Sequence, residues 1–349
     1  MKENNNNIKK VIWLLVFILI AISTLAIISI NEEEEEEMSE VPIPPNLYSS
    51  SHHVIGTGNT LGTYFAAGKL LEKWFNDNID KKGGSFKAFQ TNGSVDNIIL
   101  LQTKRIEFGM AEARIAKEAY SANPKIRVVW PLWYDVVQMI KPPEDLVPNY
   151  VFPSEVKGFI GQKNSSTART STEIFEALNI PGNHSVNIPV DEVVKKIGDG
   201  RIGFAMIQAG MPNRTVADSL IFYHCGLVSF DDKQVDQILN KVSTSVKYTI
   251  PAGYYEEKQP EIKTIAIPNV LVTTSDISPE LVEYVTEMLI NGCPKLKGRF
   301  KAFETVPSDS ESILRILRET GVPLHEGTRR WLDKNLDKLN NSDDGGMQN

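Results

Sequence analysis

Apolar and polar positions follow two rhythms along most of this chain. A short apolar run, "HVIG", is followed by a small-residue loop, "TGNTLG", and from Gly62 to Phe75 apolar residues recur every three or four positions, as in an amphipathic helix. Phe86 to Gln90 reads as a strand, Val95 to Lys104 returns to the helical period, and Ile106 to Met110 and Val128 to Pro131 read as strands. Two further apolar runs, Asp135 to Ile140 and Thr264 to Thr274, are placed as strands crossing between two lobes. Strands that alternate with helices predict an α/β fold.

The pattern also repeats. "VDNIILLQTKRIEFGMAEA" from Val95 and "VDEVVKKIGDGRIGFAMIQAG" from Val190 both run helix, basic turn, apolar strand, and Arg105–Ala113 matches Arg201–Ala209 at five of nine positions. Each copy follows a small polar loop that leads into a helix. Short α/β units in doubly wound proteins resemble one another in any case. The alternative is two similarly built lobes that face each other and close on a ligand about the crossing strands.

The N-terminus has a different rhythm. Val11 to Ile30 is an apolar run of twenty residues broken only by Ser23, Thr24 and Ser29. That length matches the hydrocarbon thickness of a bilayer. Lys2, Lys9 and Lys10 precede the run and Glu32 to Glu37 follow it, which places residues 1–10 in the cytoplasm and the body outside. A cleaved signal peptide competes with an anchor, but the run is long for one and lacks an A-x-A site. Residues 31–51 are acidic, then rich in Pro and Ser, as in a stalk, and residues 339–349 read as a disordered tail.

With 349 residues, 41% of them hydrophobic and 23% charged, the chain is long enough for two domains. Its net charge of -7 includes the six glutamates of the acidic run, so the rest sums to about -1 and carries no basic footprint for nucleic acid. The two cysteines, Cys225 and Cys293, fall in different expected lobes and read as free thiols.

The first loop has the layout of a phosphate-binding turn, yet Gly56, Gly58 and Gly62 are spaced one residue too far for the dinucleotide fingerprint. No acid follows at the end of the next strand to hold a ribose, and no Gly-Lys-Ser/Thr follows the loop. What remains is the unpaired N–H groups and positive end of a helix start, which attract a carboxylate as well as a phosphate. Thr60, Thr63 and Tyr64 add hydroxyls there. "TNGSVDN" (Thr91–Asn97) and "NSST" (Asn164–Thr167) are two further helix starts rich in hydroxyl and amide groups, unless Ser94 and Ser166 or Thr167 are plain N-caps.

"GTGNTLGTYFAAGKLL", "TNGSVDNIILLQTKRIEFGMAEA", "GQKNSSTARTSTEI", "IPAGYYEEKQPEIKTIAIPNVLVTTSDISPELV" and "GVPLHEGTRRWL" resemble, in order, the signature segments of the TAXI family, the substrate-binding proteins of TRAP (tripartite ATP-independent periplasmic) transporters. The resemblance spans residues 48–335. It implies a type II periplasmic-binding-protein fold of two α/β lobes joined by a two-strand hinge, here with an N-terminal transmembrane helix. Lobe 1 is expected over residues 52–138 and 266–338, and lobe 2 over 139–265. The resemblance also implies a monomeric receptor without cofactor or enzymatic activity, which binds a small carboxylate, glutamate-like or 2-oxoacid-like, and delivers it to membrane permease subunits. A sensory module of the same fold without a permease is the alternative. Carried over, the binding positions are Gly58, Thr60 and Thr63; Thr91, Asn92, Gly93 and Ser94; Ser165, Ser166 and Thr167; and Ala209, Gly210, Met211 and Pro212 opposite.

Departures from the family pattern add candidates. Asn59 and Leu61 bring side chains into a loop usually richer in glycine. Glu112 stands where Gln is usual: facing the cleft it favours a ligand with an amine, and otherwise it forms a surface salt bridge with Arg114. Arg169 has the fork to clamp a carboxylate, or is solvated. Trp130, Trp133 and Tyr134, like Tyr254 and Tyr255, are either hinge packing or pocket wall. His52 and His53 point to opposite faces of a strand, and no His or Cys cluster has zinc spacing, so no metal is expected.

Overall fold

The computed structural model describes residues 52–60, 62–78, 84–152, 157–163, 165–180, 188–306 and 310–341, all within one compact unit, Tyr48–Asn349. The expected cytoplasmic segment 1–10, anchor 11–30 and stalk 31–51 lie outside the described residues. Among the described residues no helix is long and apolar enough to cross a membrane.

In chain order the elements are β1 (His52–Gly56), α1 (Thr63–Asn78), β2 (Ser85–Phe89), α2 (Ser94–Gln102), β3 (Phe108–Glu112), α3 (Ala113–Ala122), β4 (Ile126–Lys141), α4 (Ser166–Ala177), α5 (Val190–Gly198), β5 (Ala205–Ala209), α6 (Arg214–Tyr223), β6 (Gly226–Leu227), α7 (Asp232–Lys241), β7 (Val246–Ile250), β8 (Ile262–Thr274), α8 (Pro279–Leu296), α9 (Ser310–Glu319) and α10 (Glu326–Asn341). A 3-10 turn, Lys301–Thr305, lies between α8 and α9.

The strands form one sheet in the order β2-β1-β3-β8-β4-β5, with β6 on β4 and β7 on β8. Two strands belong to both of its halves. The start of β4 and the end of β8 pair from Ile126↔Thr274 to Pro131↔Val270, beside the parallel strands β1, β2 and β3. The end of β4 then pairs with β5 and β6, and the start of β8 with β7. Between the halves the β4–β8 register slips, at Val128/Trp130 and again at Pro131/Tyr134, and Tyr134 pairs with Pro268. Proline removes a ladder donor and is tolerated in a central strand only at such an irregularity. The runs expected as separate strands at Val128–Pro131 and Asp135–Ile140 are therefore one strand with an irregular middle.

The repeated units take corresponding places. α2 leads into β3 and α5 into β5, and β3 and β5 flank the β8–β4 pair on opposite sides. In the second half the alternation of β4 sorts its side chains between two cores. Val136 and Ile140 join Val193 and Ile197 of α5 and Val216 and Leu220 of α6, whereas Val137 and Met139 join Ile174 and Phe175 of α4 and Val235 and Ile238 of α7. β8 is buried along nearly its whole length, as a strand covered on both faces must be.

Other boundaries moved. The strand expected at Ile106–Met110 runs from Phe108 to Glu112, and α3 follows it with no intervening loop. The tail expected from residue 339 is helical through Asn341, and its remainder lies outside the described residues. Leu332, Leu336 and Leu339 carry the helical spacing past the point where composition turns polar. Cys225 is a buried free thiol, which burial pushes up to about 12.

Candidate functional site

The ends of β1 and β3 and the loop after β2 are tied together by one side chain. Asn97, fully buried on α2, donates to the carbonyls of Thr57 (2.7 Å) and Met110 (2.8 Å) and accepts from Thr91 Oγ1 (2.8 Å). Gly56 permits this approach, because a Cβ there would lie 2.4 Å from Asn97 Oδ1. Thr91 Oγ1 also lies 3.0 Å from Thr57 O, so its single proton is shared between that carbonyl and Asn97 and the hydroxyl holds the two loops together. Asn97 belongs to the quoted "TNGSVDN" segment but was not singled out; its sequence signal is a polar residue inside an apolar helical run.

The loops so held expose different groups. Gly93 caps α2 with φ 108°, a backbone region suited to glycine, and no side chain caps that helix. Ser94 is therefore not an N-cap: its Oγ accepts from the Glu112 amide at 3.1 Å and stands 3.3 Å from Tyr64 Oη. Tyr64 donates to Asn269 Oδ1 on β8 at 2.5 Å and sets its ring edge-on to Trp133 at 5.7 Å. Gly58 is buried, Thr63 and Gly93 are half-buried, and Asn59, Thr60 and Asn92 are exposed.

Opposite lies the start of α4. Ser165 is its N-cap and accepts from the Ala168 amide at 3.1 Å, while Ser166 and Thr167 form the first turn; Asn164 lies outside the described residues. Arg114 of α3 reaches this turn, donating from Nη2 to Ser166 O (3.3 Å) and Thr170 Oγ1 (2.7 Å), from Nη1 to Glu173 (2.7 Å) and from Nε to Glu112 (2.9 Å). Gln208 of β5 closes the circuit, donating to Glu112 and accepting from Thr170 Oγ1 at 2.5 Å. Glu112 and Arg114 are each 1% exposed, so their ion pair is not the surface bridge considered from sequence but a buried one. Full hydrogen bonding is what makes two buried charges tolerable. Arg169 turns its fork outward onto Glu118 of α3 (2.5 and 2.8 Å) and holds that carboxyl below its usual range.

The fourth segment, Ala209 to Pro212, comes up against α1. A Cβ on Gly210 would lie 2.8 Å from Thr63 Cγ2 and 3.2 Å from both Ala302 Cβ and Trp133 Cδ1. Met211 is buried and precedes a cis peptide bond to Pro212. Beside them Asp135 accepts from Trp133 Nε1 at 3.1 Å. Burial pushes this carboxyl up to about 7, with the Glu112 charge adding, against hydrogen bonds from Trp133 and the Gly210 amide. The buried Asn269 Nδ2 meets no acceptor within hydrogen-bond geometry. Burial and the charges of Asp135 and Glu112 likewise hold the Tyr64 hydroxyl well above its usual range, so it stays a donor.

A cavity of about 160 Å³ opens here, lined by Thr63, Gly210, Met211, Pro212, Arg299, Phe300, Lys301 and Ala302. The last four come from the turn after α8, which sequence reasoning did not flag. The aromatic candidates divide: Trp133 stands at the junction, Trp130 packs edge-on to Trp331 of α10 at 6.1 Å, and Tyr134 lies 6.4 Å from Tyr248. Tyr255 accepts from the Asn213 amide at the start of α6 and donates to the buried Gln138. Among the described residues no group of three metal-ligating side chains occurs.

A mixed α/β body whose two central strands serve both halves, with the start of α1 at Thr63 packed against Gly210 after β5, defines the architecture. The chain belongs to the NMT1-like family, whose sequence model matches residues 55–334. Its fold is similar to that of a Bordetella bronchiseptica protein (TM-score 0.49, 11% identity, covering 82% of this chain and 98% of the other). It is also similar to a putative periplasmic sulfonate-binding protein of an ABC transporter from Methylobacillus flagellatus (TM-score 0.47, 10% identity, 80% and 76%). A third likeness is to an ABC transporter protein from Parabacteroides distasonis (TM-score 0.42, 10% identity, 82% and 88%).

Proposed function

We propose that the protein is an extracytoplasmic solute receptor of the TAXI type, held to the membrane by residues 11–30, which binds a small carboxylate between two lobes and presents it to a TRAP-type permease. The lobes are residues 52–138 with 266–338, and residues 139–265, closing about the irregular middle of β4 and β8. One observation carries the reading. Thr63, at the first of the helix starts read from sequence as anion-attracting, packs against Gly210 of the loop Ala209–Pro212 and lines a cavity with it, while Ser94 is linked to α1 through Tyr64 and Ser166 to α3 through Arg114.

The chemistry supports an acid held by neutral donors. The first amides of α1 have no carbonyl of their own helix to bind. Thr63, Gly210 and Met211 line the cavity, and Arg114 is committed to Glu112 and Glu173. A thermal-shift panel of amino acids, 2-oxoacids and dicarboxylates tests the reading, because a solute that binds only the folded form stabilises it by mass action, about 2.7 kcal/mol at a hundredfold excess over Kd. Glutamate-like acids are expected to raise the melting temperature by several degrees. No shift with any acid contradicts the reading.

A further inference from the structure

The turn after α8 sets a strongly basic strip, "KLKGRFK", against an acidic chain: Lys295, Lys297, Arg299 and Lys301 alternate over seven residues. Lys295 is occupied, its ammonium lying 5.0 Å from the centre of the Trp74 ring. Arg299 and Lys301 are exposed, have no ion-pair partner among the described residues, and line the 160 Å³ cavity together with Thr63, Gly210, Met211 and Pro212. At ~30 Å³ per water the cavity holds about five waters, the room for a small molecule rather than a polymer. Ala302, at the end of the strip, is buried and stands 3.2 Å from where a Cβ on Gly210 would be, so the basic turn packs directly against the loop that ends β5.

Two cations lining a small cavity add little discrimination among monocarboxylates, which carry a single negative charge. They matter when the solute carries a second negative charge. We propose that Arg299 and Lys301 form a subsite for the second acid group of a dianionic solute, which makes the ligand a short dicarboxylate or amino dicarboxylate. This rests on the receptor reading above.

The test is calorimetric titration of the full-length protein with matched pairs that differ only in the second acid: glutarate and valerate, 2-oxoglutarate and 2-oxovalerate, glutamate and norvaline. At least one diacid is expected to bind more tightly than its partner. The variant R299A/K301A is expected to lose about tenfold in affinity for that diacid while its monoacid partner changes less than twofold. The charge-conserving variant R299K/K301R is expected to keep most of the diacid affinity. An unchanged diacid affinity in R299A/K301A, or an equal loss for both members of the pair, overturns the subsite and leaves the receptor standing. Absence of binding by every acid to the unaltered protein overturns both. The substituted side chains are exposed, so a circular dichroism spectrum identical to that of the unaltered protein is expected alongside.

Discussion

Asp135 is the residue whose environment departs furthest from what its type suggests. Its folded carboxyl titrates near 7, whereas an unfolded aspartate titrates near ~3.9. Between these values the native state holds a proton that the unfolded state has lost, so this group's contribution falls as pH rises, by up to about 1.4 kcal/mol per unit. It is fully present below the lower value and gone above the upper one. Asp135→Asn is therefore expected to flatten the stability profile between pH 4 and 7 and to melt higher than the unaltered protein at pH 8. Equal pH slopes for the two proteins would show that the carboxyl is hydrated. Arg114 makes the complementary case. Arg114→Met strands Glu112 in the interior, with an expected cost of about 3–5 kcal/mol in urea unfolding, and Glu112→Gln in the same chain should restore a good part of it. A cost under about 1 kcal/mol would mean that water reaches the pair.

At this scale the sequence was legible where function follows from local pattern. Thr63, Ser94 and Ser165 each stand at a helix start, and such starts carry their own signature of small and hydroxyl residues. The Glu112–Arg114–Gln208–Thr170 circuit and the cations after α8 were not legible, because they depend on which helices face each other, a property of the assembled sheet.

Among elements, the contact of α1 with α8 gives the sharpest expectation. Gly292, inside α8, lies where a Cβ would come within 2.3 Å of Trp74 Nε1, and that nitrogen donates to Met288 O at 2.9 Å. Helix propensity alone favours alanine at such a site by ~0.5–1 kcal/mol, while overpacking costs ~1–3 kcal/mol. Packing is the larger effect, so Gly292→Ala should lower stability and shift Trp74 fluorescence as its hydrogen bond breaks. A stabilised Gly292→Ala would show that the helices slide apart freely. The crossing strands were readable as two long apolar runs, since a strand covered on both faces needs no alternation. The joining of Val128–Pro131 to Asp135–Ile140 was not, because Pro131 reads locally as a stop and only pairing with β8 carries the chain through it. Helix α3 was passed over because it follows β3 with neither loop nor glycine to mark its start.

For the whole molecule, the repeated helix-turn-strand units end in β3 and β5, which lie on either side of the β8–β4 pair. What the arrangement does rests on the junction between the halves. At that junction Arg114 bridges to Glu173 and Thr170, and Arg169 to Glu118. Exposed pairs such as Arg169–Glu118 contribute little in salt, so the proposed closure about a solute rests on the buried circuit. The most direct measurement is a crystal structure of the protein grown with the acid that stabilises it best. Bound density in the cavity lined by Thr63, Gly210, Met211 and Pro212 is the predicted result. Density instead in the separate cavity lined by Lys141, Tyr150 and Phe152, or none at either place despite a thermal shift, would contradict the account.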